Sequence, residues 1–472
     1  MIKFGTSGWR GLIARDFTFA NVRLATQGIA DFLTSMPRPH GAAKKEVVLG
    51  YDTRFLGKEF SLAAAEVLAH NGLDPLLCNR DTPTPVISHS IRARKALGGI
   101  NMTASHNPAE YQGLKFSTNN GAPATPDVTK VIEERIARRA AENWTMTTAV
   151  VGTFQCKSFD PVPAYFAQIR KLIDFGAIKK ARLNIAAEFM FGTGRGYLDT
   201  LLEKFGGAKV IRFHDWPDPL FGGHHPEPNA EGMAAVSKLV RAGKAQVGLG
   251  LDGDADRFGI VDKSGTWLTP NQILALALYH LKKNRGWTGA AVRTVPTSHQ
   301  IDAVADLLGV KIHETPVGFK YIGALMESEP IIVGGEESGG LSVKGHIPEK
   351  DGILACLLMA ELVATERKSL GQILRDLEKK TGEFHSDRLN VRLTAEAKDA
   401  LLKTLAGGLE NIGPFQVEKF ITTDGYKFLL PHGEWVAFRA SGTEPLIRCY
   451  IEAKSAAQLK KLRAACQKLL KG

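Results

Sequence analysis

Short apolar segments typical of β-strands alternate with helical patterns along most of this 472-residue chain. Residues 47–51 (VVLGY) and 183–187 (LNIAA) have the apolar content of buried strands, while residues 59–71 have the spacing of an amphipathic helix and residues 272–283 are also predicted to be helical. Because repeated strand–helix units build layered sheets, the pattern predicts an α/β fold. A chain of this length also exceeds what one hydrophobic core usually supports, so we expect two to four domains.

A serine follows one of these apolar segments at a predicted turn. Residues 97–102 (LGGINM) have a strand pattern, and residues 103–108 (TASHNP) follow with Ser105 among them. The Asn-Pro pair favours a turn, which places the Ser105 hydroxyl at the edge of a sheet, where ligands bind in open α/β folds. Taken alone, a serine in a turn is more often a cap or a turn former than a nucleophile.

Three aspartates alternate with other residues in a loop between two further strand patterns. The loop, residues 252–257 (DGDADR), lies between residues 247–251 (VGLGL) and 258–261 (FGIV). Three carboxylates this close repel one another unless a cation holds them, and hard oxygen ligands suit Mg²⁺ or Ca²⁺. An EF-hand is excluded, because the later glycine and glutamate of that motif are missing and the flanking segments are strands. The alternative is a solvated acidic turn.

Two more polar loops follow apolar segments in the second half of the chain. Residues 334–340 (GGEESGG) combine glycines, which let a ligand approach the backbone, with carboxylates and a hydroxyl that suit a polyhydroxyl ligand. Residues 439–445 (RASGTEP) offer an arginine, two hydroxyls and loop N–H groups to a phosphate. The alternatives are a flexible glycine-rich loop and a plain hairpin turn. A Walker loop is excluded, because no Gly-Lys-Ser/Thr follows.

The charge balance limits the class of ligand. The chain has 60 basic and 49 acidic residues and a formal net charge of +11, which fits a nucleic-acid binder or a protein that attracts small anions. We expect phosphate ligands, because no helix-turn-helix or zinc-finger pattern occurs and residues 460–463 (KKLR) lie on a predicted solvated helix face. Five scattered cysteines predict a reducing compartment, and the absence of a signal-like segment adds to the prediction of a cytoplasmic protein. No apolar run is long enough to predict a membrane span.

Taken together, the four loops resemble those of the α-D-phosphohexomutase superfamily, which has a phosphoserine, a metal, a sugar and a phosphate loop, one per domain and in this order. Residues 4–11 (FGTSGWRG) are similar to the first strand and turn of that family. The resemblance covers essentially the whole chain. It implies three similar α/β domains with mixed sheets and a smaller C-terminal α+β domain around a central cleft. The domains implied here are residues 1–155, 156–259, 260–375 and 376–472, and the fourth is predicted to hinge near residues 375–385.

The resemblance also implies an isomerase that moves a phosphoryl group through an enzyme phosphoserine. Ser105 would carry the phosphoryl group, and a phosphoserine oxygen would bind Mg²⁺ together with Asp252, Asp254 and Asp256. The enzyme would phosphorylate a hexose phosphate, form a hexose 1,6-bisphosphate such as glucose 1,6-bisphosphate, and take back the other phosphate.

Further residues have roles implied by the same resemblance. Arg10 and His106 would contact the phosphoserine, and Lys115 would be a general base with a lowered pKa or a charge partner of the phosphate. The residues implied in binding the rest of the substrate are Arg257, Lys320, Glu336, Ser338 and Lys350. Those implied in binding its phosphate are Arg439, Ser441, Gly442 and Thr443.

The loops favour glucose phosphate as the substrate. Residues 315–320 (TPVGFK) and the Glu-Glu-Ser sequence look like those of phosphoglucomutases. Phosphoglucosamine mutases usually have Glu-Gln-Ser-Gly-His, and dual phosphomannomutase/phosphoglucomutases usually have a histidine where this chain has Gly340.

Phosphoglucomutase is therefore the predicted activity, while phosphomannomutase, dual specificity and phosphoglucosamine mutase stay open as alternatives. A non-catalytic sensor is disfavoured, because Ser105, Lys115 and the three aspartates are all present. The predicted partners are hexose phosphates, without nucleic acid or membrane, and the predicted assembly is a monomer or a dimer.

Overall fold

The computed structural model of the protein describes residues 2–5, 8–36, 45–146, 155–440 and 446–470. This part of the chain forms four larger sheets, whose strands lie in residues 9–159, 184–268, 290–343 and 385–453. We call the corresponding parts the first, second, third and fourth units. The predicted α/β fold is confirmed, because the first three sheets carry helices and mix parallel with antiparallel strands. The domain boundaries stay predictions.

The first unit is a mixed sheet covered by helices. Its strands are β1 (Trp9–Leu12), β2 (Glu46–Tyr51), β3 (Asp74–Cys78), β4 (Gly98–Met102), β5 (Tyr111–Thr118) and β6 (Lys157–Phe159), in the order β1-β5-β4-β2-β3-β6. Its helices are α1 (Phe19–Ser35), α2 (Gly57–His70), α3 (Thr84–Arg94) and α4 (Pro126–Ala141). All of β4 is buried, so the chain enters the Ser105 loop directly from the sheet interior.

The second unit places the aspartate loop between two antiparallel strands. Its strands are β7 (Asn184–Glu188), β8 (Lys209–Phe213), β9 (Val247–Leu251), β10 (Phe258–Val261) and β11 (Trp267–Leu268), in the order β11-β10-β9-β7-β8. Its helices are α5 (Val162–Leu172), α6 (Phe175–Ala181), α7 (Leu198–Thr200) and α8 (Ala234–Arg241). Glycine alternates in β9 because neighbours lie against the strand: a Cβ on Gly250 would be 2.3 Å from Sδ of Met233.

The third unit carries residues 334–340, the predicted sugar loop, where β14 turns into β15. Its strands are β12 (Ala290–Thr294), β13 (Ile312–Thr315), β14 (Ile331–Glu336) and β15 (Gly340–Val343), in the order β13-β12-β14-β15. Its helices are α9 (Pro270–Tyr279), α10 (Gln300–Leu308), α11 (Phe319–Ser328), α12 (Gly352–Glu366) and α13 (Leu370–Thr381). Helix α12 is apolar on nearly every face and contacts β9, β10 and β15, so it joins the second and third units.

The fourth unit has an antiparallel sheet and a separate small hairpin. Its strands are β16 (His385–Arg392), β17 (Asn411–Ile412), β18 (Phe415–Gln416), β19 (Lys419–Ile421), β20 (Tyr426–Leu429), β21 (Trp435–Ala440) and β22 (Leu446–Ala453). The main sheet has the order β16-β22-β21-β20-β19, and the helices are α14 (Ala395–Ala406) and α15 (Ala456–Leu469). Within the described ranges, no helix is long and apolar enough to cross a lipid bilayer.

The apolar cores show which units are firmly joined. One continuous cluster of buried side chains runs through the second and third units, whereas the fourth unit has a core of its own, built around residues such as Phe428 and Phe438. The fourth unit meets the third through polar contacts. The ammonium of Lys427 on β20 is buried and donates hydrogen bonds to the carbonyl of Val295 at 2.9 Å and to Oε2 of Glu314 at 3.2 Å.

Lys427 is expected to make the protein more stable as the pH rises through the alkaline range. Burial, followed by repulsion from Arg293, lowers the pKa of Lys427 to about 8 despite attraction by Glu314. An unfolded lysine titrates at about pH 10.4, so between about pH 8 and that value the unfolded chain binds more protons and the free energy of unfolding increases with pH. The thermal midpoint of the wild type, relative to Lys427→Met, should therefore rise across this window. A constant or falling difference would contradict the expectation.

Candidate active site

The Ser105 loop and the aspartate loop meet beyond the carboxyl ends of β4 and β9. The Ser105 hydroxyl donates a hydrogen bond of 2.9 Å to Oδ2 of Asp252, a residue 147 positions away in the sequence. Ser105 and Ala255 both have left-handed backbone angles, with φ of 53° and 56°. This conformation costs free energy in a residue with a side chain and is typical of functional loops. The predicted nucleophile and the predicted metal loop are thus in direct contact.

Asp252, Asp254 and Asp256 form a compact, fully buried carboxylate cluster. One carboxylate oxygen of each lies within 4.8 Å of the others. The Oδ1 atoms of Asp254 and Asp256 have no hydrogen-bond partner among the residues that the structure describes. A buried carboxylate oxygen without a partner is costly unless a positive group coordinates it. The donor set therefore fits a hard divalent cation such as Mg²⁺ or Ca²⁺.

The three carboxylates differ in how readily they take up a proton. Burial, together with repulsion from Asp254 and Asp256, raises the pKa of Asp252 well above its usual value. Burial also acts to raise the pKa values of Asp254 and Asp256, but attraction from Lys115 contributes to lowering both overall. Asp254 and Asp256 therefore keep their negative charge inside the protein, as ligands of a cation must, and a bound cation would lower the pKa of Asp252 and keep it ionised as well.

Lys115 reaches this cluster from β5. Its Nζ donates hydrogen bonds to Oδ2 of Asp254 at 2.6 Å and to Oδ2 of Asp256 at 2.8 Å. Burial acts to lower the pKa of Lys115, but attraction by the two carboxylates outweighs burial, and the pKa is raised. The expectation of a lowered pKa is therefore wrong for this structure, because the groups that contact Nζ are carboxylates. Its role as base or as charge partner stays a prediction.

Two residues that sequence reasoning missed hold the aspartate loop from the first unit. Oγ1 of Thr84 donates a hydrogen bond to Oδ2 of Asp254 at 2.5 Å, and its N–H donates to the Asp254 carbonyl at 2.9 Å. The Asn101 side chain in turn donates to Oγ1 of Thr84 at 2.8 Å. Neither residue carries a sequence signal, because Thr84 begins an ordinary helix and Asn101 lies inside a buried strand.

Arg54 is another side chain in contact with the Ser105 loop that the sequence did not single out. Its buried guanidinium donates hydrogen bonds to four carbonyls of the loop 105–111, at distances from 2.5 to 3.0 Å. It also pairs with Oδ2 of Asp52 at 3.2 Å. These contacts fix the loop that presents the Ser105 hydroxyl. The polar residues 52–54 (DTR), directly after β2, are the signal that could have indicated this role.

Arg10 and His106, the residues predicted to contact the phosphoserine, both have contacts in the Ser105 loop. Nη1 of Arg10 donates a hydrogen bond to Oδ1 of Asn107 at 2.6 Å, and Nδ1 of His106 lies 3.4 Å from the Ser105 hydroxyl. Burial, reinforced by repulsion from Arg257 and Arg10, lowers the pKa of His106 well below its usual value. The ring is therefore neutral near pH 7 and can accept or donate a hydrogen bond.

Glu336 of the sugar loop is buried at the end of β14. Its Oε1 accepts a hydrogen bond of 2.9 Å from the N–H of Gly318. Burial raises the pKa of Glu336, and attraction by Lys350 opposes part of that effect. Nζ of Lys350 also lies 3.1 Å from Oδ2 of Asp256. Lys350 thus lies between the sugar loop and the aspartate cluster.

Ser338 and Arg257 line a cleft of about 340 Å³, to which the second, third and fourth units all contribute. Nη1 of Arg257 lies 3.7 Å from Oε1 of Glu227. Lys320 lies on α11, where its Nζ is 5.4 Å from the ring centre of Tyr321 and burial lowers its pKa. Among the described residues, no hydrogen bond or ion pair links Lys320 to the aspartate cluster. The structure thus gathers the other predicted sugar-binding residues more closely than it does Lys320.

Of the four residues predicted to bind the phosphate, Arg439 lies in the part of the chain that the structure describes. It lies near the end of β21, and its Nη2 is 3.0 Å from Oδ2 of Asp424. The predicted phosphate ligands Ser441, Gly442 and Thr443 lie outside the described residues.

The layered units and the serine that contacts a buried carboxylate cluster define an enzyme of the phosphohexomutase class. Four family models match the chain: phosphoglucomutase/phosphomannomutase α/β/α domains I, II and III match residues 1–143, 163–265 and 269–381, and the C-terminal domain matches residues 389–469. The chain belongs to the phosphoglucomutase/phosphomannomutase family and is an isomerase.

Known relatives agree with this assignment over the whole chain. A phosphoglucomutase/phosphomannomutase of Thermococcus kodakarensis is 32% identical, with 96% of this chain and 94% of the relative covered. Human phosphoglucomutase-1 is 30% identical, with 96% and 90% covered. A solved structure from Thermus thermophilus that bears the phosphomannomutase name is 32% identical, with a TM-score of 0.85 and 100% and 99% of the two chains covered.

Proposed function

We propose that this phosphohexomutase is a phosphoglucomutase that interconverts α-D-glucose 1-phosphate and glucose 6-phosphate through a phosphoserine. The observation that carries the proposal is the 2.9 Å hydrogen bond between the Ser105 hydroxyl and Asp252, inside the buried carboxylate cluster. A hydroxyl in that position can accept and return a phosphoryl group next to the charges that stabilise the transfer. Glucose is favoured by the sequence of the sugar loop and by Gly340, where dual-specificity relatives usually have histidine.

Ser105 acts in this proposal as the carrier of the phosphoryl group. The bond from phosphorus to the Ser105 oxygen breaks as a new bond forms to the free hydroxyl of the hexose phosphate. The attacking hydroxyl gives its proton to a base of the site, and the leaving Ser105 oxygen takes up a proton. The product is glucose 1,6-bisphosphate. After the bisphosphate has turned in the cleft, the Ser105 hydroxyl attacks its other phosphate and loses its proton to a base, while the leaving sugar oxygen takes up a proton and the second monophosphate is released.

Different side chains around Ser105 would hold the metal ion, the phosphoryl group and the serine loop. Asp252, Asp254 and Asp256 would hold Mg²⁺, which when bound neutralises charge on the phosphoryl group. His106, beside the Ser105 hydroxyl, and Arg10, which contacts Asn107 of the same loop, would hold the phosphoryl group on the serine. Arg54 needs no contact with substrate, since its hydrogen bonds to the loop carbonyls keep the serine in place.

The far side of the cleft would recognise the sugar and its own phosphate. Glu336 and Ser338 offer acceptors and a hydroxyl to the sugar, with Arg257, Lys320 and Lys350 in support. Arg439, with Ser441, Gly442 and Thr443, would hold the phosphate that is not reacting. Because the bisphosphate must bind in two orientations, these groups read features that both orientations share.

The proposal is tested by assaying the purified protein side by side with the 1-phosphates of glucose, mannose and glucosamine, with glucose 1,6-bisphosphate and Mg²⁺ present. We expect the highest kcat/KM with glucose 1-phosphate and a lower value with mannose 1-phosphate. A higher kcat/KM with mannose or glucosamine phosphate would replace the glucose assignment by one of the alternatives. The cytoplasmic location and the monomeric or dimeric state stay predictions.

Glu336→Ala is expected to lower activity on glucose and mannose phosphates alike. Glucose and mannose differ only in the configuration of the 2-hydroxyl. If Glu336 binds one of the other hydroxyls, its removal leaves that hydroxyl without a partner in both sugars, at a cost of about 1–3 kcal/mol. The measurement is kcat/KM for both substrates, with Glu329→Ala as the control, because Glu329 is an exposed carboxylate in the same unit. Loss confined to mannose phosphate would mean that Glu336 reads the 2-hydroxyl.

A further inference from the structure

Asp424 lies in the turn between β19 and β20 and links the third and fourth units. A single oxygen of its side chain, Oδ2, accepts a hydrogen bond of 2.7 Å from the backbone N–H of Val317 and lies 3.0 Å from Nη2 of Arg439. The Asp424 and Arg439 side chains are only 21% and 16% exposed, so water weakens this contact less than it weakens an ion pair on the surface. One carboxylate thus connects the backbone of the third unit to the guanidinium of the fourth.

In the third unit, the backbone turn that Asp424 contacts, residues 317–318, also contacts the sugar loop. The N–H of Val317 points to Asp424, and the next N–H, that of Gly318, points to Oε1 of Glu336 at 2.9 Å. Gly318 has a φ of 128°, a backbone angle that residues with side chains rarely adopt. The two successive N–H groups therefore bind one carboxylate from each unit, and the position of Arg439 is tied to that of Glu336.

We infer that Asp424 is a positioning residue that holds Arg439 at a fixed distance from the sugar loop while the fourth unit lies against the third. The inference rests on the proposed function, in which Arg439 binds the phosphate that is not reacting. Asp424 does not touch the substrate in this account. It acts through Arg439, whose guanidinium it orients with a charge-assisted contact.

The consequence concerns the fate of the bisphosphate. The fourth unit has its own apolar core and is held to the third by polar contacts. If one of these contacts is removed, we expect the fourth unit to spend more time away from the cleft. When a bisphosphate escapes, it carries off the phosphoryl group that came from Ser105 and leaves an unphosphorylated serine. That enzyme stays inactive until another bisphosphate returns a phosphoryl group to it.

The experiment compares Asp424→Asn and Asp424→Ala with the wild type and with Asp399→Asn. Asparagine keeps an acceptor for the N–H of Val317 but loses the charge that pairs with Arg439, and alanine loses both. Asp399 is an exposed aspartate on α14 of the same unit, so its variant controls for the change of charge. The quantities measured are glucose 1,6-bisphosphate released per turnover, KM for glucose 1-phosphate, and the rate without added bisphosphate.

We expect Asp424→Asn to release about tenfold more bisphosphate per turnover and to raise KM about tenfold, as the change from a charged to a neutral hydrogen-bond acceptor implies. Its rate should recover when bisphosphate is added, a recovery that a merely unstable protein would not show. Asp424→Ala should show larger changes in the same direction and Asp399→Asn none. If both Asp424 variants released no more bisphosphate per turnover than the wild type and had the same KM, the inference would be overturned.

Amide hydrogen exchange at residues 317–318 separates this inference from the proposed function. Exchange there should be faster in Asp424→Ala than in the wild type, because the N–H of Val317 loses its acceptor. If the wild type had no mutase activity, the proposed function would fail, and exchange would still decide whether Asp424 joins the two units. Unchanged exchange would show that it does not.

Discussion

Ser105→Ala is expected to lower the mutase activity by several orders of magnitude while leaving the fold intact. The variant removes the hydroxyl that donates to Asp252 and with it the acceptor of the phosphoryl group, so the covalent route is closed. The loop should keep its shape, because Arg54 holds it through carbonyl oxygens that the substitution does not alter. The measurement is kcat with glucose 1-phosphate, supported by the thermal midpoint.

Intact-protein mass provides a second readout for the same variant. The wild type should carry a phosphate adduct that peptide mapping assigns to Ser105, and the variant should carry none. Ser35→Ala is the matched control, because Ser35 lies at the exposed end of α1 in the same unit. Near-normal turnover by Ser105→Ala would end the proposal of a phosphoserine mechanism.

Asp254→Asn is expected to weaken metal binding and activity together. With its amide oxygen in the place of Oδ2, asparagine can still accept hydrogen bonds from Thr84 and Lys115, but it removes a negative charge from the cluster and replaces the unpaired Oδ1 with an NH₂ group. Loss of an outer-shell group lowers metal affinity by roughly 10–100-fold, and loss of a ligand should cost more than about 100-fold. The measurement is Mg²⁺ affinity by titration calorimetry, together with activity as a function of Mg²⁺ concentration.

A chelator should abolish wild-type activity, and added Mg²⁺ should restore it. Asp215→Asn serves as the control, because Asp215 is an exposed aspartate of the same unit and lies outside the cluster. If chelator left the wild-type rate unchanged, the three carboxylates would need a role other than cation binding.

Local sequence patterns predicted the layered architecture and several elements closely. The predicted strand at residues 47–51 lies within β2, and the apolar runs on either side of residues 252–257 are β9 and β10. These patterns are readable because burial imposes apolar runs and helical spacing within a single element. The charge environment of a residue in a packed site has no such local signature, because the carboxylates that raise the pKa of Lys115 lie 139 and 141 residues away along the chain.

The sequence by itself determined which chemical groups the protein offers and in what order: a serine, three alternating carboxylates, a glycine-rich acidic loop and an arginine loop, each next to a strand. Only the tertiary structure decided which of them meet. It places Thr84 on Asp254 across 170 residues, Arg54 on the serine loop, and Asp424 between Val317 and Arg439. The reason is physical: an isolated threonine, arginine or aspartate is common in any loop or helix, and its role arises from a partner that folding brings within hydrogen-bond distance.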